Sequence, residues 1–137
     1  MSLRRLIANL IRVSHEDLDG ARMLARGENR NAIYPCEQAA EKVIRAVVSS
    51  EGKHAGIRHQ LDEIVDLLPD ENPLKSHLRT IEYLAAYATT YRYPTAAGRI
   101  KAAPTKDVAE ALQAAVTAFG VDLERRDSPS ENEGPIR

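Results

Sequence analysis

The chain has no tryptophan, one phenylalanine and one cysteine among 137 residues. The single cysteine, Cys36, excludes an intramolecular disulfide and a cysteine-rich zinc site. It lies at a helical position on the apolar side of its segment, as a packed thiol rather than a nucleophile. No apolar stretch approaches the ~20 residues that span a bilayer. Residues 1–13 set Arg4, Arg5 and Arg12 among leucines and isoleucines without a cleavage site, which describes an amphipathic helix and not a signal peptide. A cytoplasmic protein with no membrane partner is therefore expected. Nor is there an excess of one charge: 19 basic against 20 acidic residues leave a net charge of −1. Global attraction to nucleic acid is excluded, and any basic site must be argued locally.

Metal and cofactor signals are missing too. His15, His54, His59 and His77 form neither H-x-x-x-H nor H-E-x-x-H, so no zinc site is expected. The loop Gly52-Lys53-His54-Ala55-Gly56 is too short for a phosphate-binding P-loop. Lys53, His54 and Arg58 follow a helix end, where cations complement the dipole. Asp62 and Asp66, beside Glu63, read as a solvated edge. No cofactor is implied.

What is present is helical periodicity; no segment alternates with period two. Leu3, Leu6, Ile7, Leu10, Val13, Leu18, Ala21 and Leu24 predict a first helix over 3–26, continuous through the capping-box-like Ser14-His15-Glu16-Asp17. Gly27 ends it in a C′ position. A second helix over 32–50 has Pro35 in its first turn. A short third helix carries Leu61, Ile64, Val65 and Leu68 and stops at Pro69. Asn72 caps the fourth, with Pro73 at its first position; Leu74, Leu78, Ile81, Ala85 and Ala88 face inward, and Pro94 ends it. Thr105 caps the last, with Val108, Leu112, Ala115, Phe119 and Leu123 inward. The fold class is all-α: an antiparallel up-down bundle of four long helices plus one short one over residues 1–124. Residues 125–137 read as a disordered polar tail.

Two stretches stand out within this frame. In residues 36–48, Cys36, Ala40, Val43 and Val47 share an apolar face widened by Ala39 and Ile44. Gln38 with Lys42, and Glu41 with Arg45, stand at i,i+4. Glu41 edges the apolar face and needs a partner or water. The second stretch is Tyr91-Arg92-Tyr93-Pro94, ending the helix that carries Tyr83 and Tyr87. Two roles are open to Arg92: a salt bridge to Glu41, or a guanidinium offered to a phosphate beside stacking tyrosines. The tyrosines serve packing, a dimer face or base stacking. His59 either hydrogen-bonds locally at a helix start or reaches Glu41 or the Tyr-Arg-Tyr-Pro segment. The breadth of the apolar faces motivates a homodimer.

Gln38-Ala39-Ala40-Glu41-Lys42, then His59-x-Leu61, then Arg92-Tyr93-Pro94 resembles the HEPN family over about residues 15–120. The resemblance implies a dimerising helical bundle, recognition of a nucleotide or RNA, and a minimal nucleotidyltransferase as partner, often in a toxin–antitoxin pair. Carried over by motif, the ligand-binding candidates are Gln38, Glu41, Lys42, His59, Arg92 and Tyr93, with Tyr91 from the tyrosine stripe. Metal-independent ribonucleases of the family carry an arginine followed, four to six residues on, by histidine. None of the four histidines here has an arginine at that spacing, so no catalytic residue is assigned. The expected function is a non-catalytic binding module. A ribonuclease assembled across a dimer and a purely structural scaffold are the alternatives.

Overall fold

A computed structural model describes residues 2–27, 29–58, 60–89 and 105–127. Every regular element among them is helical: α1 (Leu3–Arg26), α2 (Ile33–Ser50), α3 (Leu61–Val65), α4 (Lys75–Thr89) and α5 (Thr105–Asp127). A 3-10 turn, Arg30–Ala32, leads into α2. Ser2 starts α1 by accepting the Arg5 amide at 3.2 Å. The box at Ser14 does not interrupt it, because the Ser14 hydroxyl donates to the Ile11 carbonyl of its own helix at 2.7 Å.

α2 is the centre of the molecule. Ile33, Cys36, Ala39, Ala40, Val43, Ile44, Ala46, Val47 and Val48 are all buried, more than one face of a surface helix would require. The small Ala39 and Ala40 are buried, and α1 makes the most extensive pairing with this helix. α2 ends in a left-handed turn: Gly52 has φ +72°, its amide donates to Ser49 at 2.9 Å, and Lys53 donates to Val48 at 3.3 Å. Gly27 closes α1 differently. Its φ is −86°, an ordinary backbone conformation that any residue adopts.

α3 is shorter than its apolar spacing predicts. Beyond Val65 the chain tightens into turns, with Leu67 and Leu68 donating to Ile64 and Val65 at 3.1 and 3.0 Å. Leu68 is still buried. Asn72 caps the next turn by accepting the Leu74 amide at 2.8 Å, and its side-chain amide donates to Glu51 at the end of α2, 2.5 Å away. Leu74, in the turn before α4, is buried with Leu78, Ile81 and Ala85 on the inner side of that helix, while Val108, Leu112, Ala115 and Phe119 line the inner side of α5. Leu123 is partly buried.

The boundary drawn at residue 124 needs correction, since α5 runs on to Asp127. Its last turn is anchored: Arg126 donates to the Ser50 carbonyl at 3.3 Å and to Glu51 at 3.0 Å. The same guanidinium lies 2.7 Å from Oδ2 of buried Asp122, close enough for an ion pair but off the line of a hydrogen bond. The remainder of the expected tail, and the side chains of Tyr87 and Ala88, lie outside the described residues.

A candidate binding cleft between α2, α3 and α4

One face of α2 is left uncovered by the core, and α3 and α4 flank it. The resulting cleft has a volume of about 770 Å³. α2 contributes Glu37, Gln38 and Glu41; the start of α3 contributes Gln60, Leu61 and Asp62; α4 contributes Glu82, Ala85 and Ala86. Helical geometry explains the first group. Ala40, Val43 and Val47 turn into the core, so residues 37, 38 and 41 gather on one outer edge.

The cleft is acidic. Four carboxylates line it, and no lysine or arginine does among the described residues. Among the described residues, Glu41 and Glu82 each have a guanidinium beside them. Glu41 lies 3.4 Å from Arg45, as the i,i+4 spacing predicts, with the two side chains 24% and 20% exposed. Arg45 is itself braced, donating to the Gly56 carbonyl at 3.2 Å and to that of Arg58. Gly56 turns this loop with φ +62°. Glu82 lies 2.8 Å from Arg79, which also bonds Asp66. Hydrogen bonds to Asp66 and Glu82 raise the pKa of Arg79 further. Leu61, Ala85 and Ala86 add an apolar wall.

Of the sequence-predicted residues, Gln38 and Glu41 come together in this cleft. Lys42 does not. It pairs with Asp17 of α1, each side chain about a quarter exposed, and ties the two helices together; the expected pairing with Gln38 gives way to this ion pair across helices. His59, Tyr91, Arg92 and Tyr93 lie outside the described residues. Cys36 is fully buried, and burial pushes its thiol from 9.0 up to about 11, with Arg22 opposing more weakly. A thiol so held is no nucleophile near neutral pH.

Sequence reasoning missed Glu37, Gln60, Glu82, Ala85 and Ala86 as cleft residues, and read Asp62 only as a solvated edge. Glu37 stands one turn before Glu41, and Glu82, Ala85 and Ala86 stand at i,i+3,i+4 on α4. The spacing is visible, but nothing local says that the two edges face each other. No group of three or more metal-ligating side chains occurs among the described residues. No described helix is long and apolar enough to cross a membrane.

An all-helical domain with a polar cleft beside its central helix is the class these features define. Residues 7–120 match the family model of the HEPN domain. The chain belongs to the HEPN family, which points to a nucleotide- or RNA-related function. No curated protein and no solved structure shows significant similarity to it.

Proposed function

We propose that this HEPN domain is a non-catalytic module that binds a nucleotide or nucleic-acid element in the cleft between α2, α3 and α4. The reading rests on one observation: Gln38 and Glu41 of the first motif share a cleft with Gln60, which adjoins His59, and with α4, whose chain continues to Tyr91, Arg92 and Tyr93. The acidic lining constrains how a nucleotide would enter. Phosphates are repelled by the carboxylates and belong with Arg92, the cation of the third motif. The base belongs inside, flat against Leu61, Ala85 and Ala86. Its edge then meets the amides of Gln38 and Gln60 and the carboxylates, which accept hydrogen bonds and so favour bases bearing amino groups. Tyr91 and Tyr93 supply stacking faces, and His59 a further hydrogen bond.

The same reading includes an antiparallel up-down bundle, a homodimer and a minimal nucleotidyltransferase as partner in a toxin–antitoxin-like pair. The short connection between α1 and α2 supports the first. Exposed Tyr83, at 70%, supports a tyrosine-bearing dimer face. The nucleotidyltransferase rests on the family resemblance.

Calorimetric titration of the wild type and the Arg92→Ala and Gln38→Ala proteins with ATP, CTP and UTP tests the site. ATP and CTP should bind more tightly than UTP. Arg92→Ala should weaken binding by about 1.5–3 kcal/mol and Gln38→Ala by about 0.5–1.5 kcal/mol, the ranges for charged and neutral hydrogen bonds. Because Glu41 keeps Arg45, Arg92→Ala should cost no more than about 1 kcal/mol of stability, as for an exposed ion pair. A loss of about 3–5 kcal/mol, the cost of stranding a buried charge, with no nucleotide binding by the wild type, leaves only a scaffold.

A further inference from the structure

A second concavity, of about 680 Å³, runs along the first half of α1, where α2 and α5 end. Among the described residues it shares no lining residue with the cleft between α2, α3 and α4. Leu3, Ile7 and Ile11 recur at i,i+4,i+8 and form its floor with Leu123 of α5. Arg4, Arg12 and His15 stand along its lip from the same helix. Arg126 closes one end and is held there by Ser50, Glu51 and Asp122. No carboxylate lines the groove among the described residues, the reverse of the acidic cleft. Leu3 remains 49% exposed, apolar surface left in water at a cost in free energy.

The two properties together select the occupant. A nucleic-acid backbone would complement the cationic lip and leave the leucine and isoleucine floor uncovered. A lipid surface needs a broad projecting apolar face, whereas here Ile7 is buried and Ile11 half-buried within a concavity that also carries Arg4, Arg12 and His15. An uncharged apolar helix would cover the floor and strip water from the exposed Arg12 guanidinium without replacing it. An amphipathic helix with acidic flanks matches both floor and lip. The twelve steps from Leu3 to His15 make the groove about 18 Å long at 1.5 Å per residue, room for roughly three turns. We infer that the α1 groove docks an acidic amphipathic helix of a partner protein, independently of nucleotide binding.

The test uses the full chain and two labelled 15-residue helical peptides with the same leucine stripe, one flanked by glutamates and one by lysines. Fluorescence anisotropy should show saturable binding of the glutamate peptide, about tenfold or more tighter than the lysine peptide and weakened by salt. Ala8→Glu and Arg12→Glu change exposed lip positions. Each should weaken binding about tenfold while the thermal melt stays unchanged. Four results would overturn the inference: no saturable binding, equal binding of both peptides, no effect of Ala8→Glu, or competition by a single-stranded RNA oligomer. It also fails if Arg12→Glu abolishes adsorption to anionic vesicles, or Ala8→Glu abolishes self-association, while the peptide does not bind.

Discussion

At the scale of single residues, burial and pairing separate groups that hold the fold from groups available to a ligand. Lys42 belongs to the first kind, spent on Asp17. Glu41 belongs to both, since Arg45 steadies it while its carboxylate still lines the cleft. Cys36 is the plainest case, with a fully buried thiol and a pKa raised to about 11 by desolvation. Between about pH 9 and 11 the unfolded chain loses this proton and the folded chain keeps it. The unfolded state therefore gains, and stability falls as pH rises through that window. Denaturant melts from pH 8 to 11 should show this fall, reduced in Cys36→Ser after allowance for that protein's lower baseline. At pH 8 iodoacetamide should label the native thiol no faster than the protein opens. Rapid labelling of native protein would contradict the burial.

At the scale of elements, the two helix-ending glycines make opposite demands. Gly52 occupies the left-handed region, where a side chain costs roughly 1–2 kcal/mol. Gly27 has an ordinary φ and only the Leu24 carbonyl, 3.6 Å away, near an added methyl. Gly52→Ala should thus destabilise by about 1–2 kcal/mol, while Gly27→Ala should be neutral or stabilise by up to about 1 kcal/mol through the unfolded chain. Urea melts of the pair decide it; equal losses would contradict the assigned conformations. The contrast also marks what was legible in sequence. Glycine after a periodic segment announces a helix end, and α1, α2 and the Asn72 turn were readable from spacing and turn chemistry, although regular α4 begins at Lys75 and not, as expected, at Pro73. Which backbone conformation the glycine adopts was not. Nor were the early end of regular helix in α3 or the three extra residues of α5, since those depend on tertiary bonds such as Arg126 to Glu51. The site was half legible for the same reason. Gln38 and Glu41 carry a motif, whereas Gln60, Glu82 and Ala86 matter only because two helices meet, and spacing along one helix does not encode its neighbour.

At the scale of the whole molecule, a nearly neutral chain separates its charges into an acidic cleft and a cationic groove. Such a division suits a module with distinct ligands on distinct surfaces, and the proposed homodimer must leave both accessible. Sedimentation at micromolar concentration should give a species near twice 15.1 kDa, and Tyr83→Glu should shift it toward the monomer; a 15.1 kDa species alone would refute the dimer. The claim that matters most is that the motif-bearing cleft is the nucleotide site. Amide chemical shifts of uniformly labelled protein during an ATP titration test it most directly. The account predicts saturable changes clustered at Gln38, Glu41, Gln60, Leu61, Ala85 and Ala86, with Leu3, Ile7 and Ile11 unmoved. Changes confined to the α1 groove, or none at millimolar ATP, would contradict it.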